Sequence, residues 1–215
     1  MRNMPLSTFK KITGQLIVML CLFSAVSKAQ ITVNGTGSYA TITAAIAAAS
    51  AGDVIQVPAG IYNENPDINK SLKLRGAQWG NCALSRTGAE TVISCPNGIG
   101  VNASNVTIDG FTIQDQDGAN AALAPGFGFA VYMVPPNTGT QLLNNIIRNN
   151  TLGTGLSNAG SFPAQVNINC NWYDANNTPG PIFREAIYAD SDISGGSVSN
   201  VFINDNKFTN HTGGV

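Results

Sequence analysis

The sequence predicts an all-β fold, a parallel β-helix solenoid with a short capping helix at its N-terminal end, and three observations predict it. Segments that open alike recur about every 26 to 31 residues: Gly98-Ile99-Gly100-Val101, Gly128-Phe129-Ala130-Val131-Tyr132, Gly155-Leu156, Ala186-Ile187-Tyr188 and Gly213-Gly214-Val215. Inside the copies an apolar residue is followed three positions on by Asn or Phe and five positions on by an aliphatic or aromatic residue. The instances are Ile108, Phe111, Ile113; Leu142, Asn145, Ile147; Ile168, Asn171, Tyr173; and Ile203, Asn206, Phe208. An Ala-rich amphipathic stretch precedes the first copy.

Taken in chain order, the 215 residues are the length of one domain. Arg2, Lys10 and Lys11 form a basic start, and Leu16 to Ala25 is an apolar run too short to span a bilayer. Ser27 and Ala29 are the small residues a signal peptidase accepts. We therefore expect residues 1–29 to be a signal peptide cleaved near Ala29. The mature chain, residues 30–215, would then have no transmembrane anchor and be secreted or held at the cell surface. Cys21 follows Val18, Met19 and Leu20 and lacks the small residues of a lipidation site.

Next, Ile42, Ala45, Ile46 and Ala49 fall at i, i+3, i+4 and i+7, the stripe of a short helix with Thr41 as N-cap and Gly52 as its stop. Such a helix covers the edge of a first coil that would otherwise recruit another strand. Asp53 to Gly60 reads as turn, strand, turn, and we place the cap at about 30–62 and the coils at about 63–215. Each coil holds about three short strands alternating apolar with polar residues, and Val106, Val166 and Val201 lengthen that alternation. One coil cannot bury its own apolar face, so coils must stack. Asn145, Asn171 and Asn206 read as bend residues, whose amides bond turn backbone, tolerate the left-handed region and can stack as a ladder. The chain ends as a fifth coil opens, from which we expect a longer natural protein or a fragment.

The run from Tyr39 through Thr41-Ile42, the Ala-rich stretch, Gly52 to Tyr62 and Ser71 to Ala77 resembles the start of the pectate-lyase-like superfamily. Asn105-Val106-Thr107-Ile108-Asp109-Gly110-Phe111-Thr112-Ile113 is similar to its repeat. The resemblance extends over nearly all of the mature chain and implies a right-handed parallel β-helix. It selects no activity, because that superfamily spans polysaccharide lyases, glycoside hydrolases, esterases, epimerases, phage tailspikes and adhesins.

Composition narrows the partners. Only 11% of residues are charged and the formal net charge is −1, which argues against nucleic acid. Cys82, Cys95 and Cys170 are an odd number, so at most one internal disulfide forms, and Cys82 with Cys95 is the local pairing. Asn34, Asn102 and Asn105 head Asn-x-Ser/Thr triplets, which an Asn- and Thr-rich solenoid yields by chance.

A lyase acting on a uronic acid needs a base and a positive group for the enolate, usually calcium or Arg/Lys. Asp115, Asp117, Arg148, Arg184 and Asp190 are the candidates, with Lys207 and the single histidine, His211, as further basic groups. Asp115 with Asp117, and Asp190 with Asp192, can each offer oxygens to calcium; as residues ending strands they equally suit bonding their own turn backbone. No other cofactor is implied. The polygalacturonase-type Asn-Thr-Asp, Asp-Asp, Gly-His-Gly and Arg-Ile-Lys signatures are absent.

Among the aromatic residues that could stack on sugar, Tyr132, Tyr173 and Tyr188 read as core or lateral stacks, and Phe127 and Phe129 as core. Trp79, in a long loop, reads as exposed and is the ligand-binding candidate. Two functions survive: a surface module that displays loops or binds polysaccharide, and a polysaccharide lyase with its site in a lateral groove. The lack of a converging acid, base and cation favours the first. The deciding observation is whether a cation and two carboxylates from neighbouring coils share one face within a sugar's reach.

Overall fold

The computed structural model describes residues 30–116, 129–134, 136–157, 163–178, 184–190 and 198–212. The expected signal peptide, Asp117, Phe127, Asp192 and the Gly213-Gly214-Val215 opening lie outside the described residues.

The cap comes first. Strands β1 (Ile31–Val33) and β2 (Thr36–Tyr39) pair antiparallel around Asn34-Gly35, both in the left-handed region (φ 50° and 75°) that a two-residue hairpin turn requires. Helix α1 (Ile42–Ala48) follows, with the Thr41 side chain accepting from Ala44 N at 3.0 Å, as a cap should. It stops before Gly52: Ala49 is its C-cap, and Gly52 (φ 92°) serves the turn into Asp53. Both helix ends are finished by charges. Glu64 accepts from Ile42 N (2.8 Å) and Thr43 N (2.9 Å), and Lys70 Nζ donates to the carbonyls of Ile46, Ala47 and Ala49 at 2.8–3.0 Å, each complementing the helix dipole.

The chain then runs through three sheets in rotation. The first circuit is β3 (Val54–Gln56), β4 (Gly60–Asn63) and β5 (Asp67–Ile68), and the second is β6 (Lys73–Arg75), β7 (Thr91–Ser94) and β8 (Ile99–Val101). The third is β9 (Thr107–Asp109), β10 (Phe111–Gln114) and β11 (Phe129–Met133), and the fourth β12 (Gln141–Leu143), β13 (Ile146–Arg148) and β14 (Leu152–Ser157). The fifth is β15 (Val166–Asn169), β16 (Trp172–Asp174) and β17 (Ile187–Asp190), and β18 (Val201–Asn204) and β19 (Lys207–Thr209) begin another. Every strand from β3 to β16 pairs in parallel with the strand three places later. We call the sheet of β3, β6, β9, β12, β15 and β18 sheet A, that of β4 to β19 sheet B, and that of β5 to β17 sheet C. β1 closes the first edge of sheet A antiparallel to β3, so the stacking begins at Val54. The result is an all-β chain with one helix and stacked parallel sheets, compatible with a parallel β-helix.

Register places like on like. Ile55, Leu74, Ile108, Leu142 and Ile168 stack inward on sheet A, and Ile93, Ile113, Ile147 and Tyr173 on sheet B, all fully buried. The internal signature of the sequence is thus one residue from each of two sheets with a corner between them.

The corner divides labour between neighbours. The left-handed residue is Gly110, Asn144, Cys170 or Asp205, one position before Phe111 or before the Asn to which the sequence assigned the bend. Asn145, Asn171 and Asn206 form the ladder instead. Phe111 N, Asn145 N and Asn171 N donate to the side-chain oxygens of Asn145, Asn171 and Asn206 at 2.8–3.0 Å, and each amide NH2 donates back to a carbonyl on the preceding circuit. A second ladder stands five residues further on: Gln116 N donates to Asn150 and Asn150 N to Asn176 at 3.0 and 3.3 Å.

Residues 76–90 leave the second circuit between β6 and β7. The expected Cys82–Cys95 pairing is wrong: Cys82 is bridged to Cys170, Cα to Cα 5.1 Å, across 88 residues. Cys95 faces the core, free and fully buried, while Cys170 takes an outer corner under that loop.

Candidate functional site

The last outward positions of the sheet B strands align as Asn63, Ser94, Gln114, Arg148, Asp174 and Thr209. Neighbouring strands lie about 4.8 Å apart, so Arg148 stands one strand from Gln114 and one from Asp174. Arg148 Nε and Nη2 both donate to Gln114 Oε1, at 3.1 and 3.0 Å. Asp115 is exposed next to Gln114, and one carboxylate oxygen accepts from Ser94 Oγ (2.9 Å) and Gln114 Nε2 (2.8 Å). Asp174 accepts from Thr209 Oγ1 (2.7 Å) and Asn210 Nδ2 (2.8 Å).

An Arg and two carboxylates therefore share one face, but each is held by neutral partners. Among the described residues the only ion pair is Arg86–Glu90. Asp115 (φ 67°) occupies the left-handed corner filled by Asn149, Ala175 and Asn210 on later circuits, so the bend accounts for its place. Arg184 is exposed just before β17 and Asp190 ends β17, which puts both with sheet C, apart from Asp115 and Arg148. Asp174 was not singled out from the sequence, although it follows Asn171 by the same three residues that separate Arg148 from Asn145. Among the described residues no three His, Cys, Asp or Glu side chains gather that could hold a metal ion.

Sheet C carries a different surface. Tyr132 and Tyr188 are register partners of Gly155 on its two sides, and both point outward, between Val131 and Met133 and beside Ile187, which face the core. Phe129 is 5% exposed yet stands apart from the core cluster. Its ring stacks on Tyr132 (centroids 5.3 Å, planes 13° apart) and tilts toward Tyr188 (5.9 Å, 36°). Gly155 is the floor beneath it, since a Cβ there would sit 2.6 Å from the Phe129 ring. So Tyr132 and Tyr188 take the lateral of the two places that the sequence left open, and Phe129, expected in the core, is buried by its neighbours on the outer face. Tyr173 alone is core: fully buried, its hydroxyl within 2.9 Å of Thr154 Oγ1, its ionisation suppressed by burial.

Beside Tyr188 a pocket of about 410 Å3 opens, lined also by Glu185, Leu156, Ile187 and Val201. Burial there raises the Glu185 carboxyl above the usual carboxylate range. Trp79, in residues 76–90, is 46% exposed with the Arg75 guanidinium 4.3 Å from its ring centroid.

These features define a class, a stacked parallel-sheet module with an aromatic ledge on one outer face and a polar column on another. No family model, curated protein or solved structure matches the chain.

Proposed function

We propose that this protein is a secreted or surface-held right-handed parallel β-helix that binds polysaccharide along the outer face of sheet C and displays its loops, without catalysing a reaction. The observation that carries this reading is the ledge of Tyr132, Phe129 and Tyr188 over Gly155. Tyrosine rings give a sugar an apolar face to stack on and hydroxyls at the rim for its polar edge. Strand spacing separates Tyr132 from Tyr188 by about 9.6 Å, room for successive residues of a sugar chain running along the stack. Handedness follows the general rule that crossovers between parallel strands are right-handed in about 98% of cases. The Cys82–Cys170 bridge supports an oxidising compartment, in keeping with the leader-like residues 1–29.

The test is affinity electrophoresis through gels cast with xylan, mannan, pectate, alginate or chondroitin. At least one glycan should retard the protein, and Tyr132→Ala with Tyr188→Ala should abolish that retardation while the circular dichroism spectrum is kept. Free migration in every gel rejects the reading.

A polysaccharide lyase is the second reading, favoured by the register of Gln114, Arg148 and Asp174 with Asp115 beside them. It requires unsaturated uronate products from pectate, alginate or chondroitin, with or without calcium, and their loss in Arg148→Ala or Asp115→Ala. Absence of product in a protein that is retarded leaves binding as the function.

A further inference from the structure

We propose that Trp79 and Arg75 form a separate glycan subsite, on the outside of sheet A, that takes a sugar residue bearing an anionic group. The first ground is how the loop is held. Gly76 N and Gln78 N donate to the carbonyls of Asp109 and Gly110, at 2.8 and 3.3 Å, and Gly80 N to Asp109 Oδ1 at 3.1 Å. Ala77 N donates to Thr91 Oγ1 (2.8 Å) and Gln78 Nε2 to Ala89 O (2.9 Å). Cys82 is bridged to Cys170, and Arg86 reaches the carbonyls of Asn144 and Phe111 while paired with Glu90. The loop backbone lies so close to Gly110 that a Cβ there would be 2.1 Å from Trp79 N. A loop fixed at so many points nevertheless leaves its one indole 46% exposed. Rigid aromatic side chains presented in this way lose little entropy when they engage a ligand.

The second ground is charge. Arg75 and Lys73 both point outward from β6, with fully buried Leu74 between them, and the Arg75 guanidinium covers part of the Trp79 ring. The nearest carboxylate in the register, Asp109, has its Oδ1 occupied by Gly80 N and Asn144 Nδ2. Trp172 spends its indole N–H on Thr209 Oγ1 at 2.8 Å, whereas among the described residues nothing accepts from that of Trp79. An exposed ring, a guanidinium at its face and a spare N–H suit a sugar whose C–H face stacks, whose carboxylate or sulfate meets Arg75, and whose hydroxyl accepts from the indole. The choice of a sugar rests on the polysaccharide-binding reading above; the geometry of the subsite does not.

The experiment uses the full chain carrying Trp172→Phe, which leaves Trp79 as its only indole. Its fluorescence is titrated with matched oligomers differing only in charge, tetramannuronate against β-1,4-mannotetraose and tetragalacturonate against α-1,4-galactotetraose. At least one anionic oligomer should shift the Trp79 emission, with binding at least about tenfold weaker for its neutral match and in Arg75→Gln. If Trp172→Phe does not fold, the wild-type chain is titrated and the response must vanish in Trp79→Ala. Silence with both anionic oligomers, equal binding of matched pairs, or indifference to Arg75→Gln overturns the proposal. Tyr132→Ala with Tyr188→Ala separates the two readings. A Trp79 response that survives those changes stands whether or not the sheet C ledge binds, and a silent Trp79 in a retarded protein overturns the subsite alone.

Discussion

Asp53 ties the cap to the first circuit through its carboxylate, which accepts from Ser50 N and from Asn34 Nδ2, both at 2.7 Å. Those two bonds, the Ser50 one foremost, hold its carboxyl below the usual 3.8. A folded-state pKa lowered in this way contributes stability that is fully present above the unfolded value and lost as pH falls through the folded one. We expect the urea midpoint of the wild type to fall on acidification below about pH 4, and Asp53→Asn, already weaker at neutral pH, to fall less steeply there. Parallel acid limbs for the two proteins would refute this. Cys95 shows the opposite sign: burial, with the Asp115 charge nearby, pushes its thiol up to about 12, so it stays a protonated core residue and not a disulfide partner. Neither environment was legible in the sequence. Asp53 reads there only as a turn residue, which its local bond to Ser50 N fits, and Cys95 only as the nearest partner for Cys82, because Asn34 and Gln114 each lie 19 positions away and burial is made by the fold.

At the level of strands and corners, the ladders decide how one circuit holds the next. Asn171 is fully buried, accepts from Asn145 N, and donates to Leu142 O and to Asn206 Oδ1 at 2.8 and 3.0 Å. Truncating it leaves a buried N–H and a buried carbonyl unpaired, each a loss of about 1–3 kcal/mol. Asn171→Ala should therefore cost about 2–5 kcal/mol in urea unfolding, and Asn206→Ala, at an only partly buried site, clearly less. Equal losses at the two sites would mean that the ladder is not what those amides contribute. The ladder was legible because an Asn recurs three positions after one apolar residue and two before the next. The split between bend residue and ladder residue was not, since Asn serves both roles and Cys170 and Asp205 take the bend without resembling one another. Alternation left core and lateral stack both open for the tyrosines, of which Tyr173 is core and Tyr132 and Tyr188 are lateral, and among the described residues it misplaced only Phe129. It distinguishes the two faces of a strand, but a glycine on the neighbouring strand lets Phe129 lie flat against the outside and be buried there.

Across the whole molecule, the strands of each circuit pair only with those of its neighbours, and among the described residues only the 76–90 loop reaches further, so stability is close to a sum of circuit and interface contributions. α1 and the β1–β2 hairpin cover the first circuit, while on β18 and β19 Ile203 and Phe208 are 41% and 37% exposed. The repeat made this stacking legible, but it could not reveal that Cys82 on the second circuit and Cys170 on the fifth meet on the outside. That meeting depends on the path of residues 76–90, which have no counterpart in the other copies. Closing a loop across 88 residues stabilises through the unfolded chain by about 4–5 kcal/mol. Here the bridge, with the Ala83 N–H donating to Cys170 O at 3.1 Å beside it, also joins two circuits whose strands do not pair with one another, so it should do more than restrict the unfolded state. We expect hydrogen exchange in the oxidised protein to show similar protection from β6 to β15. Cys82→Ser with Cys170→Ser should then grade that protection downward toward β18 and β19, because the far circuits can open without the near ones. A uniform drop across all strands would assign the whole effect to the unfolded chain and show the stack to be one cooperative unit with or without its bridge.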